Sequence, residues 1–299
     1  MIVRGDDWQG PIRALESGPP PQSMYVLGGT DSGKSTFCRC LIERLKETQI
    51  TAQIDCDTGQ SVIGPPTTMG LAVYRDPEKD PAVYLRFAGS TSPGGHFLQM
   101  LTGAKRLDER ARREGAARIV IDSPGLVHGD IGREFQFQMI DLLEPDHIVA
   151  FQQKRELETI LANFRRHPQM IIHRLSISPA VVVRTQIERR QYRETKFSMY
   201  FREAVQQHLS LRGLGLHGKI PDLGDPLQVR GRLLAVCDPG QFVLVLGVAL
   251  SADPKKSLLH FCSPPFDARA AAAVHFGSIS LKPKTLTGRN ASQREQAEE

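Results

Sequence analysis

The apolar positions of this chain fall into short continuous runs set between stretches of helical periodicity. "MYVLGG" (24–29), "TAQID" (51–55), "AVYLRFAG" (82–89), "ARIVID" (117–122), "DHIVAFQ" (146–152) and "QMIIHRLS" (169–176) are strand-length runs. Between them, 34–47, 96–114, 132–144 and 155–166 carry apolar residues at helical spacing. Strands separated by helices in this way predict an α/β fold with a mainly parallel sheet flanked by helices. A further helix, dense in charge, is expected over about 184–212.

Beyond 218 the texture changes. Residues 227–281 read as several strands punctuated by "DPG", "ADPKK" and "SPP", with little helical periodicity. The expected organisation is an N-terminal segment (1–22), a core (23–218), a small C-terminal β-rich module (219–282) and a polar tail (283–299) expected to be disordered. The N-terminal segment holds a short helix around Trp8–Glu16, with Trp8 expected to anchor it on the core.

Composition narrows the class. The chain has 299 residues, 40% of them hydrophobic and 24% charged, as in ordinary globular proteins. The longest apolar run, "FVLVLGVAL", is strand-sized, and no secretory leader is visible, so a cytoplasmic protein with no membrane span is expected. Five cysteines without a CxxC pair support neither a disulfide framework nor a zinc site. A net charge of +5 suits a polyanionic partner.

The strongest chemistry is "GGTDSGKST" (28–36), which fits G-x-x-x-x-G-K-[ST] and sits between a strand and a helix. Glycines let backbone N–H groups converge on phosphates, and the helix N-terminus favours negative charge. Gly28, Gly29, Thr30, Asp31, Ser32, Gly33, Lys34, Ser35 and Thr36 are therefore the expected nucleoside triphosphate loop. Lys34 would reach the β/γ-phosphates and the Ser35 hydroxyl would ligate Mg²⁺.

Two strands end in carboxylates: Asp55 and Asp57 after "QI", and Asp122 after "RIVI". Any of the three could help hold Mg²⁺ or take a proton from an attacking hydroxyl. "DCDTG" has Gly59 where an aspartyl-phosphate phosphatase motif has Thr or Val, which argues against that chemistry. Downstream, "VVVRTQIERRQYRETKFSMYF" (181–201) places Arg189 and Arg193 four residues apart on one helix face. They could close over a transferring phosphoryl group, or form a solvated face balanced by Glu188 and Glu194.

In order, "GGTDSGKSTFCR", "DCDTGQSVIGPP", "FAGSTSPGG", "DSPGLVHG" and the arginine series resemble the ATP-dependent polynucleotide 5′-hydroxyl kinases. This family includes the pre-mRNA cleavage-factor and pre-rRNA-processing kinases and their bacterial and archaeal relatives. The resemblance covers roughly residues 23–202. It implies a P-loop fold, ATP and Mg²⁺ as cofactors, and a nucleic acid with a 5′-hydroxyl end, RNA and/or DNA, as substrate. It names no protein partner.

The resemblance makes Asp57 the general base, with Lys34, Arg189 and Arg193 completing the catalytic set and Arg184 contacting ATP. Ser35 takes the magnesium role, Asp122 stays a magnesium candidate from its strand end, and Asp55 becomes an outer-shell magnesium partner or a structural residue. Gln60, Ser90, Thr91, Ser92 and Leu126 become nucleic-acid contacts, Leu126 standing where the family usually has an aromatic that stacks on the terminal base. Two other readings keep the same loop: an ATP-loaded scaffold without turnover, and a kinase of small molecules.

Overall fold

A computed structural model describes residues 6–281 and divides the chain into two compact units. One comprises the described residues up to Gly64, Met69–Leu85 and Ser92–Thr185; the other comprises Pro65–Thr68, Arg86–Thr91 and the described residues from Gln186 on.

The first unit opens with a short 3-10 turn, Asp6–Trp8, and α1 (Gln9–Ser17). There follow β1 (Gln22–Gly28), α2 (Lys34–Leu45), β2 (Thr51–Asp55), β3 (Thr68–Tyr74), β4 (Ala82–Phe87) and α3 (Phe97–Arg113). The series continues with β5 (Arg118–Asp122), α4 (Gly129–Leu143), β6 (His147–Gln152), α5 (Glu158–Leu161) and β7 (Ile171–Ser176). The strands form a seven-stranded sheet in the order β4-β3-β2-β5-β1-β6-β7. Within it β2, β5, β1, β6 and β7 run parallel, while β3 is antiparallel to β2.

Alternate residues of these strands face opposite sides, and both sides are apolar. Met24, Val26, Val120, Val149 and Phe151 pack with Phe37, Leu41 and Leu45 of α2 and with Ile12 and Leu15 of α1. Trp8 joins this core, 5% exposed, its ring meeting Phe37 edge-on at 5.2 Å. The expected anchoring role for Trp8 is what the packing shows. Tyr25 emerges on the other side, where its hydroxyl donates to Gln136 Oε1 of α4 at 2.7 Å.

The second unit comprises α6 (Gln186–Tyr200), β8 (Val205–Ser210), β9 (Gly215–Gly218), α7 (Pro226–Val229), β10 (Arg232–Cys237), β11 (Val243–Asp253), β12 (Leu258–Ser263) and β13 (Ala273–Ser280). Its sheet order is β8-β12-β11-β10-β13-β9, antiparallel except for the β13–β9 pair. Along β10, Leu234 and Val236 face Phe261, Val274 and Phe276, whereas Leu233, Ala235 and Cys237 face Phe197 of α6, Phe201 just after it, and Phe87. The sheet thus buries apolar side chains on both faces.

The structure departs from the sequence expectations in four places. The charged helix ends at Tyr200 rather than near 212, and Val205–Ser210 is a strand. The division between units falls at Thr185/Gln186 rather than after 218, so α6 belongs with the β-rich unit. Helical geometry within 155–166 is confined to Glu158–Leu161 with turns around it, and β3 is an additional antiparallel strand. The expectation for 283–299 lies outside the described residues. Among those described, no helix is long and apolar enough to cross a membrane.

Candidate active site

β1 ends at Gly28 and α2 begins at Lys34, so residues 29–33 form the loop between a buried strand and a helix N-terminus. Two positions in it require left-handed backbone: Gly33 at φ 96° and Asp31 at φ 55°. A Cβ on Gly28 would stand 2.7 Å from Ser32 Oγ and 3.1 Å from Phe151 Cβ, which is why that position takes no side chain. Lys34 is buried, and its Nζ donates to the Gly29 carbonyl at 2.7 Å, holding the ammonium across the loop mouth.

The loop faces two level strand ends. Asp55 pairs in register with Asp122 on the neighbouring strand, and both carboxylates are almost fully buried. Burial raises the Asp122 pKa to about 6 against the opposing pull of the Lys34 charge and a hydrogen bond from Ser35. Its Oδ1 has no hydrogen-bond partner among the described residues. A buried carboxylate oxygen beside a hydroxyl at a phosphate loop is the hard oxygen donor set that Mg²⁺ takes. Ser35 and Asp122 therefore fit the metal.

Asp55 is differently occupied. Its Oδ1 accepts from Asp57 N at 3.0 Å, and its Oδ2 from Val62 N at 2.6 Å and Ile63 N at 3.0 Å. Burial, then the charges of Asp122 and Asp57, raise its pKa to about 7 despite these donors. Its lone pairs are directed at the 57–63 loop, which leaves it an outer partner of any cation at most. Asp57 is half-buried. Its Oδ1 accepts from Gly59 N and Gln60 N, both at 2.9 Å, and its Oδ2 accepts no hydrogen bond from a described residue. This carboxylate is held by one oxygen and presents the other.

Arg184 ties these loops together. Its backbone N donates to Asp31 Oδ2 at 2.9 Å, and its Nη1 donates to Gln60 Oε1 at 3.0 Å. The first unit thus gathers Gly28, Gly29, Thr30, Asp31, Ser32, Gly33, Lys34, Ser35, Thr36, Asp55, Asp57, Gln60, Asp122 and Arg184 around one edge of its sheet. Leu126 and Ser92 also belong to this unit: Leu126 is half-buried in the β5–α4 loop, and Ser92 is exposed ahead of α3. Ser90, Thr91, Arg189 and Arg193 belong to the second unit. There Arg189 and Arg193 lie a turn apart on α6, both half-buried, while Arg190 pairs with Glu194 at 2.8 Å.

Sequence reasoning missed Gln136. This side chain is fully buried and donates through Nε2 to the carbonyls of Pro124 and Leu126 while accepting from Tyr25. It fixes the β5–α4 loop, whose Gly125 lies against Thr30 so closely that a Cβ would stand 2.8 Å from the Thr30 nitrogen. The signal was present: a glutamine on the apolar face of a helix needs partners. A separate groove of about 850 Å³ runs between α3, α4 and α5, lined by Phe97, Leu101, Ile131, Phe135 and Ile160, and takes no residue of the phosphate loop.

A mainly parallel sheet, a glycine-rich loop with a buried lysine, and carboxylates at the strand ends define a P-loop nucleotide-binding protein. The model of the mRNA cleavage and polyadenylation factor CLP1 P-loop family matches residues 28–203, and the chain belongs to that family. It is 29% identical over 212 residues to a polyribonucleotide 5′-hydroxyl-kinase of Methanocaldococcus jannaschii, covering 69% of this chain and 58% of the relative. It is 31% identical over 204 residues to one of Pyrococcus furiosus, covering 66% and 56%. The chain therefore spans less than two thirds of the length of these relatives. Among solved structures, Clp1p in a Clp1p–Pcf11p complex shares the fold, with a TM-score of 0.72 at 11% identity over 91% of this chain and 78% of that one.

Proposed function

We propose that this protein is a polynucleotide 5′-hydroxyl kinase, moving the γ-phosphate of ATP to the 5′-hydroxyl of an RNA and/or DNA end. The observation that carries the reading is the pair of Asp57 oxygens, one fixed by Gly59 and Gln60 and the other without a described donor, on a carboxylate whose charge is felt by the buried Asp122 beside Lys34. The relatives' names, polyribonucleotide 5′-hydroxyl-kinase, support the same substrate class.

The loop amides of 29–33 and Lys34 bind and orient the triphosphate, so Lys34 exchanges the Gly29 carbonyl for phosphate oxygen. Asp57 Oδ2 takes the proton of the 5′-hydroxyl as that oxygen bonds to the γ-phosphorus and the bond to the ADP oxygen breaks. Arg184, Arg189 and Arg193 neutralise charge on the transferring group. Ser35 and Asp122 would hold Mg²⁺, which would offset phosphate charge. Gln60, Ser90, Thr91, Ser92 and Leu126 guide the acceptor strand.

The test is transfer of γ-labelled phosphate to a 5′-hydroxyl oligonucleotide in the presence of Mg²⁺. Wild type labels RNA or DNA ends, and Lys34→Ala or Asp57→Ala abolishes labelling. Wild-type protein that labels neither kind of end sinks the reading.

A further inference from the structure

Three neighbouring strands leave the sheet together at the edge that carries the phosphate loop. Gly28 is level with Phe151, and Phe151 with Leu175. From there β1 enters the loop, β6 enters the turn at 153–156, and β7 enters a strap over 177–184. The phosphate chemistry uses only the last residue of that strap.

The strap is folded on itself and tied down. Ser178 accepts twice, through Oγ from Ala180 N at 3.2 Å and through its carbonyl from Val181 N at 3.1 Å. Val181 Cγ2 lies 3.6 Å from where a Cβ on Gly33 would stand, and Arg184 N is bonded to Asp31. Between these anchors Val182 and Val183 are 79% and 73% exposed. Two adjacent aliphatic side chains are thus exposed between Val181, whose side chain packs beside Gly33, and Arg184, whose backbone N–H is bonded to Asp31. In the neighbouring turn Glu156 accepts from the backbone N–H groups of Gln153 and Lys154, leaving both side chains exposed.

We infer that the strap is the nucleobase platform: Val182 and Val183 take the face of the purine of ATP whose triphosphate lies in the 28–36 loop. This rests on the nucleotide-binding reading above. A base tethered through its ribose to the α-phosphate stays within reach of that loop. Its flat, weakly polar face is stabilised by apolar surface in proportion to the area removed from water. The strap offers such surface on anchored backbone, so little conformational freedom is lost on binding. Gln153 and Lys154, at the end of the adjoining strand, supply polar groups for the base edge.

Calorimetry with Mg²⁺ compares ATP with inorganic tripolyphosphate, which has no base, on wild type and on the double variant Val182→Asn, Val183→Asn. The substituted side chains are exposed, and a matched thermal melt checks that the variant is folded. ATP affinity is expected to fall about tenfold in the variant while tripolyphosphate affinity holds. Unchanged ATP affinity, or equal losses for both ligands, overturns the inference. So does a loss confined to the KM of the oligonucleotide, which would assign the valines to the acceptor strand. Wild type that binds neither ligand overturns the nucleotide reading itself.

Discussion

Asp55 and Asp57 stand two residues apart, and their carboxylates have different occupations. Asp55 spends its oxygens on the amides of Asp57, Val62 and Ile63, so it shapes the loop that carries Asp57. Asp55→Ala leaves those amides without an acceptor, at about 1–3 kcal/mol for each that stays buried. Thermal denaturation should show a lowered Tm together with reduced labelling. Asp57→Asn keeps an oxygen for Gly59 and Gln60, so its Tm should match wild type while labelling falls by about 10²–10⁴. Equal Tm losses in the two variants would remove the distinction. The sequence placed both aspartates at the strand end, and the 28–36 loop was legible outright from spacing and context. The resemblance already gave the two aspartates different roles; what the sequence left out is the path of 58–63 over Asp55, which sets the partners of each oxygen.

At the level of elements, the phosphate loop and the β5–α4 loop are packed backbone against backbone at Thr30 and Gly125, with Gln136 bracing the second from behind. Gly125→Ala would place a methyl group 2.8 Å from the Thr30 nitrogen and 2.9 Å from its Cα. The loops must then separate, and ATP affinity measured by calorimetry should fall with little change in Tm. Unaltered affinity would mean that the contact does not shape the nucleotide site. β1, β5 and β6 were legible because each is a buried apolar run followed by a helix. β3 was not, because no helix intervenes between it and β2 to mark a new strand. The end of α6 was hidden too, since neither Gly nor Pro follows Tyr200, and only the alternation of "VQQHLS" signals the change to β8. Placing the boundary after 218 followed from reading those residues as helix.

The molecule as a whole carries a pH dependence at the strand starts opposite the nucleotide loop. His147 Nδ1 and His173 Nε2 approach to 3.2 Å, an arrangement in which one ring donates and the other accepts. Burial lowers both pKa values, that of His173 to about 4 with help from His147; Asp146 pulls His147 upward and Arg118 pushes it down. Between pH about 4 and 6.5 the unfolded chain therefore binds more protons at these rings than the folded one, and they withdraw stability as pH falls through that window. Urea unfolding at several pH values should show His173→Gln losing less stability on acidification than wild type does. Parallel curves for the two proteins would dismiss the pair as the cause.

The two units are interlaced along the chain, and this bears on how the polypeptide is made. Gly89 offers its carbonyl to the backbone N of Ser278 at 2.8 Å and to the same residue's hydroxyl at 3.1 Å, across a separation of 189 residues. Phe87 waits for Phe197, Leu233 and Leu246 to complete its core. On a ribosome adding about 5–20 residues per second, these apolar side chains emerge roughly ten seconds or more before their last partners exist. Closing so long a loop is also slow compared with forming local helices. The sheet of the second unit therefore closes only after its last strand, Ala273–Ser280, has been made. Until it forms, Phe87 of the growing chain lacks most of the apolar neighbours that bury it, and an exposed phenylalanine of that kind is a surface chaperones bind.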